Sequence, residues 1–292
     1  MAEPSSVSES KFRPAREEAR DAERTIPSPQ TQSDSYKLAF QDTDFLLRAD
    51  LRPVRFQLEL LKPELLLDEA KISSTFVFYG SARIPEPEAA QARLDAALTD
   101  QERLVATKLA EKAKYYEEAR RLARIAAAFP ENAEGCRNFV VCSGGGPSIM
   151  EAANRGAADV GAASIGLNIV LPHEQAPNIY VTPELSFQFH YFALRKMHFT
   201  LRARALAVFP GGFGTFDEFF ELLTLIQTGK MKPIPILVFG KDFWTRVINF
   251  DALAEEGVIS PRDLDLITWV ETAEDAWAAV EAFYKDTDTP AC

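Results

Sequence analysis

The stretch NFVVCSGGGPSIMEAANRGAADVGAASIGLNIVL, residues 138–171, decides the fold. It opens with a short apolar run that breaks at three glycines, Gly144, Gly145 and Gly146. A helical pattern follows from Pro147, a residue favoured in a first helical turn, and a second apolar run closes it. Strand, glycine turn, helix and strand in that order form a βαβ crossover. A strand apolar on both faces belongs inside a parallel sheet covered by helices.

The same alternation extends in both directions. The runs 74–79, 205–212, 234–240 and 264–270 read as further strands, giving six with the two above. Helical patterns separate them at 97–129, 185–202, 215–230, 242–257 and 273–285. The expectation is an α/β, Rossmann-like three-layer fold with a mainly parallel sheet over residues 73–288. Ahead of it, residues 1–36 are rich in Ser, Pro, Glu and Arg and read as a disordered tail. Residues 37–72 read as a helical extension, with apolar residues at helical spacing from Phe45 to Ala70 and a break near Pro53.

Composition bounds the function. The chain has 292 residues, 47% of them hydrophobic, and a net charge of −11. That charge argues against nucleic acid as a partner and leaves room for a small anion in a local basic pocket. No apolar run spans a bilayer, and the polar N-terminus lacks a signal-peptide core, so no membrane partner and a cytoplasmic location are expected. Cys136, Cys142 and Cys292 lack paired or metal-ligand spacing and read as reduced thiols. With three histidines in all, no metal site is expected.

Ligands of such sheets sit beyond the carboxyl ends of the strands. Three strands here end in small residues: Gly80-Ser81-Ala82-Arg83, Ser143 to Pro147, and Pro210-Gly211-Gly212-Phe213-Gly214-Thr215. Glycine admits close approach of backbone to ligand, and the helix that follows presents free N–H groups to an anion. The spacings do not form a P-loop, a G-x-G-x-x-G fingerprint after the first strand, or a G-x-S-x-G elbow. Behind the third turn lie Asp217, Glu218 and Glu221, which would repel an anion. Glu218, one turn into the helix, reaches past a bound phosphate to its neighbour, which in a nucleoside 5′-monophosphate is the ribose. A carboxylate there would stabilise an oxocarbenium-like state and orient the attacking water. Acids in a first turn also complement the helix dipole, and on spacing alone that plainer reading remains open for both Asp217 and Glu218.

Arg195-Lys196, followed about fifteen residues later by Pro210, Gly211, Gly212, Gly214, Thr215 and Glu218, resembles the LOG family. These are the cytokinin-activating phosphoribohydrolases, sometimes labelled lysine decarboxylase-like. The similarity runs from about Phe76 to the last helix. It implies a Rossmann-like fold, a homo-oligomer, no cofactor, and hydrolysis of a nucleoside 5′-monophosphate to free base and ribose 5-phosphate. By matching position, Arg195 and Glu218 would be catalytic, and Gly211, Gly212, Phe213, Gly214 and Thr215 would hold the phosphate. Glu174, Lys196 and Thr224 fall on substrate-contacting positions, and Ser81, Gly144, Gly145 and Gly146 on pocket walls.

The chain also departs from the family. Ala193-Leu194 stands where shorter members carry Met-His, and the loop from Pro172 to Ser186 differs. The chain looks like a longer bacterial subgroup in which AMP is as plausible a substrate as a prenylated adenine nucleotide. Phe187, Phe189, Tyr191 and Phe192 could line a base pocket or simply pack in the core. Two other readings stand beside this one. A nucleotide carrier without turnover is possible on the same fold. A pyridoxal-phosphate enzyme would need a Schiff-base lysine, and Lys196, beside an arginine in a helix, lacks that context.

Overall fold

The computed structural model describes residues 13–172 and 176–285. The chain divides into two compact units, residues 1–59 and 60–292. Within the described part of the first unit lie α1 (Ala15–Ala22), which buries no residue, and the short α2 (Thr43–Leu46). Asp42 caps α2 by accepting a hydrogen bond from the Phe45 amide. The unit boundary falls within α3 (Arg52–Glu69), which begins beside Pro53 and carries Pro63 internally.

The second unit is built on seven parallel strands. In chain order they are β1 (Thr75–Tyr79), β2 (Val140–Ser143), β3 (Ser164–Ile169), β4 (Ser186–Phe189), β5 (Ala203–Val208), β6 (Ile236–Phe239) and β7 (Thr268–Val270). Their order across the sheet is β4-β3-β2-β1-β5-β6-β7, with every neighbouring pair parallel. β1 is central, and the chain winds outward from it first one way and then the other. The boundary between β1 and β5 is therefore the topological switch point, where crossovers leave a crevice beyond the strand ends.

Side chains alternate across the sheet. Phe76, Phe78, Val141, Ala205, Ala207, Leu237 and Phe239 form one core with α6 (Lys114–Ala127), α7 (Ile149–Asp159) and α12 (Ala273–Tyr284). Tyr79 points the other way, edge-on to Phe199 of α8 (Phe192–Leu201). α9 (Phe213–Gln227) follows β5. The remaining helices are α4 (Pro87–Asp95), α5 (Asp100–Ala110), α10 (Lys241–Val247) and α11 (Phe250–Glu255).

The α/β fold with a parallel sheet and N-terminal helices is as read from sequence, with four local corrections. The helix expected over 185–202 begins only at Phe192, and Ser186–Phe189 is the seventh strand. Its alternation of buried Phe187 and Phe189 with exposed Gln188 is the period of a strand. The long helix expected over 97–129 is two, α5 and α6, and Asn249 caps a new start at α11 inside the stretch read as one helix over 242–257. Pro147 precedes α7 by two residues instead of opening it. Cys142 is a free, buried thiol, whereas Cys136 is disulfide-bonded, against the expectation of reduced thiols.

α6 and α7 cross at Gly156, where an added Cβ would collide with the Arg120 carbonyl and lie 2.8 Å from the Ala123 Cβ. Alanine is the better helix former by about 1 kcal/mol. Overpacking a close helix crossing costs about 1–3 kcal/mol. Gly156→Ala is expected to lower the urea midpoint at unchanged slope. An equal or higher midpoint would show that the crossing relaxes freely.

Candidate active site

A cleft of about 630 Å³ opens beyond the carboxyl ends of the central strands. Its walls come from the turn after β1 (Gly80 to Arg83), Gly144 after β2, Ile169 and Leu171 at the end of β3, α8, and the start of α9. The turns are tied to one another. The Ser81 amide donates to the Pro210 carbonyl at 3.2 Å, and the Phe209 amide to the Tyr79 carbonyl at 2.8 Å.

At the floor is a buried ion pair. Arg195 Nη1 lies 2.6 Å from Glu218 Oε1, and both side chains are nearly sealed from solvent. Three further contacts hold the guanidinium. Its Nε donates to the Leu167 carbonyl at 2.6 Å, its Cζ sits 4.9 Å from the Phe199 ring centroid, and its Nη2 fills the space a Cβ on Gly144 would need. Glycine at 144 is thus required by the arginine, since any side chain would displace it. Glu218 Oε2 has no hydrogen bond among the described residues, so one carboxylate oxygen stays available. Burial pushes the Glu218 carboxyl above the ordinary glutamate range, and the charge and hydrogen bond of Arg195 oppose that rise.

In front of the pair, α9 starts at Phe213 with Gly212 as its cap residue, and no side chain caps it. The first-turn amides are therefore free to meet an anion. Three glycines surround that start for different reasons. A Cβ at Gly211 would strike the Thr215 side chain, so packing demands glycine there. A Cβ at Gly212 or Gly214 would meet nothing within 4 Å, and neither has positive φ. Those two glycines answer no need of the protein's own packing; they leave the backbone bare on the side of the cleft.

The turn after β2 is held from behind. Asn178 Nδ2 donates to the carbonyls of Gly145 and Gly146 at 3.1 and 3.0 Å and to Asn154 Oδ1 at 2.9 Å. Asn154, fully buried, also accepts from Ser143 Oγ at 2.7 Å and donates to Ser164 Oγ at 3.0 Å. Gly145 adopts φ +71°, and Ser148, a non-glycine at φ +64°, is strained.

The candidates distribute as follows. Arg195, Glu218, Ser81, Gly144, Gly212, Phe213, Gly214 and Thr215 line the cleft. Gly145 and Gly146 lie behind its wall, in the asparagine network. Lys196 is not in the wall; its Nζ pairs with Asp217 at 3.1 Å and Glu221 at 3.3 Å. Thr224 lines a separate apolar groove with Phe220, Leu253 and Ile267. Glu174 lies outside the described residues. Of the aromatics after 186, Phe192 reaches the cleft, and Phe187 and Phe189 are core. Arg83, Met150, Leu171 and the Asn154–Asn178 link were not singled out from sequence. Among the described residues no group of metal-ligating side chains occurs, and no helix is long and apolar enough to cross a membrane.

Two outcomes follow from this geometry. Gly214→Ala is expected to leave stability unchanged or raise it by up to about 1 kcal/mol; a clear loss in urea titration would show that packing needs the glycine. Glu218 titrates from above its unfolded value, so its contribution is fully present below the ordinary glutamate pKa and lost as pH rises through the raised one. The stability of wild type relative to Glu218→Gln should therefore fall as pH rises through and above the ordinary carboxylate range. A pH-independent difference would contradict the raised pKa.

Residues 150–280 match a family model described as "Possible lysine decarboxylase". Among curated proteins, the chain is 30% identical over 90 residues to the probable cytokinin riboside 5′-monophosphate phosphoribohydrolase LOGL3 of Oryza sativa subsp. japonica, covering 30% of this chain and 43% of that protein. To LOG3 of Arabidopsis thaliana, a cytokinin riboside 5′-monophosphate phosphoribohydrolase, it is 33% identical over 92 residues, covering 30% and 42%. The chain thus spans less than half the length of these relatives. The X-ray structure of the structural-genomics target TM1055 aligns at 17% identity and a TM-score of 0.45, over 72% of this chain and 99% of that one, a likeness too weak to carry an argument. The segment matched by the family model, residues 150–280, contains both Arg195-Lys196 and the turn at 210–218, on which the resemblance to the LOG family rests.

Proposed function

We propose that the cleft hydrolyses the N-glycosidic bond of a nucleoside 5′-monophosphate, releasing free base and ribose 5-phosphate. The observation that carries this reading is the buried Glu218, pinned through one oxygen by Arg195, one turn behind a helix start bared by Gly212 and Gly214. An anion on the first-turn amides brings the group bonded to it over the carboxylate. For a nucleotide that group is the sugar.

The chemistry then follows from charge. Leaving-group departure puts positive charge on C1′ and the ring oxygen, and a carboxylate in a nearly dry site stabilises it strongly. The free Oε2 of Glu218 orients a water toward C1′ and takes its proton as the new bond forms. Arg195 opposes the rise that burial imposes on the Glu218 carboxyl and fixes its orientation. The apolar lining from Met150, Ile169, Leu171 and Phe192 suits a planar base, and Ala193-Leu194 in place of Met-His bears on which base is taken. AMP and N6-prenyl-AMP are the two candidates this reading puts first. The curated relatives, named for the cytokinin nucleotide, support the reaction class.

The test incubates AMP, GMP, CMP, UMP and isopentenyl-AMP with wild type and Glu218→Gln and quantifies base and ribose 5-phosphate. Release by wild type, reduced by about 10²–10⁴-fold in the variant, is the expected result. Folded wild type that binds AMP and releases no base from any of the five would overturn hydrolysis in favour of a nucleotide carrier.

A further inference from the structure

The charges along the cleft leave one cation without a partner. Four ionisable side chains among the described residues line it: Arg83, Arg195, Asp217 and Glu218. Arg195 is neutralised by Glu218, and Asp217 by Lys196 from outside the wall. The Arg83 guanidinium makes no hydrogen bond, ion pair or ring contact with a described residue. Only its backbone is engaged: its amide donates to Ser81 Oγ at 3.0 Å, and its carbonyl accepts from Arg93 at 3.3 Å.

The position of Arg83 says what it would meet. Its turn is joined to the α9 turn by the bond from the Ser81 amide to the Pro210 carbonyl. Ser81 and Arg83 therefore line the same cleft as the bare helix start at Gly212 to Thr215. A phosphate monoester brings close to two negative charges into a site that already holds two carboxylates. Free backbone amides supply partial charge only. A guanidinium supplies a full charge and a planar fork of donors matched to phosphate oxygens.

We propose that Arg83 is the phosphate-binding cation of this cleft and the residue that makes it select a 5′-phosphorylated substrate over the free nucleoside. The assignment rests on the reading of the cleft as a nucleotide site. It explains how the site tolerates an anion beside Asp217 and Glu218, and why an exposed arginine at the strand end is left without a partner of its own.

The experiment measures binding, so it does not depend on turnover. Ribose 5-phosphate, inorganic phosphate and ribose are titrated calorimetrically into the full chain as wild type, Arg83→Gln and Arg83→Lys. Loss of a charge-assisted contact should weaken ribose 5-phosphate at least about tenfold in Arg83→Gln, with part of the affinity kept in Arg83→Lys and ribose unaffected. Inorganic phosphate should follow the same order, separating recognition of the phosphate from that of the sugar. Equal affinity of wild type and Arg83→Gln for ribose 5-phosphate, at equal melting temperature, overturns the assignment, as does wild type that binds no ribose 5-phosphate. The nucleotide panel keeps the two claims apart. Arg83-dependent binding without base release retains the assignment and removes hydrolysis. Base release with an unchanged KM in Arg83→Gln retains hydrolysis and removes the assignment.

Discussion

The ion pair between Arg195 and Glu218 is the constraint around which the site is arranged. Two opposite charges in a nearly dry crevice gain attraction and lose hydration in similar amounts, and such a pair is often matched in stability by apolar residues. Stability alone is thus a weak reason for it. The surroundings are specialised to accommodate it. Gly144 gives up its side chain to make room, the Leu167 carbonyl takes the Nε proton, and Phe199 lies against the guanidinium. These supports come from β2, β3 and α8 on one side of β1, while Glu218 comes from α9, which follows β5 on the other side.

A second buried network sets the geometry of the wall. The Asn154, Asn178, Ser143 and Ser164 side chains satisfy one another and the carbonyls of Gly145 and Gly146. Fully satisfied polar clusters of this kind rigidify the backbone around them, whereas a missing member leaves costly unpaired groups. The strained Ser148 and the left-handed Gly145 flank this cluster.

Much of the fold was legible because buried parallel strands are apolar throughout and punctuated by glycine, as at 138–146 and 205–212. β4 was missed for a physical reason. Its four residues abut α8 with only His190 and Tyr191 between them, so a period-2 pattern fused with a period-3.6 one. The 210–215 turn and the acid Glu218 behind it stood out as a glycine turn opening a helix, and Arg195 stood out only through the resemblance to the LOG family. Arg83 did not, since one arginine after a strand is indistinguishable from a solvated charge until the partners of its neighbours are known. Nor does sequence separate Gly211, which packing requires, from Gly212 and Gly214, which it does not. Thr224 shares a helix with Glu218, six residues on, yet lines another groove: 3.6 residues per turn carry it round to a different side.

The winding order of the sheet has a further consequence. β1 pairs with β2 and β5 on its two sides, and the Thr75 register runs to Val140 and to Ala203. The site draws on residues 80–83, 144, 195 and 212–218, so its first three parts are far from one another along the chain. Contacts of such sequence separation form late and slowly, because long loops must close first. During synthesis the N-terminal half of the sheet is complete before the sequence of α9 exists. A nascent or truncated chain ending before β5 therefore holds two glycine turns and both cleft arginines, Arg83 and Arg195, but no Glu218 to set beside them, and competence for chemistry arrives in one cooperative step when β5 and α9 dock beside β1.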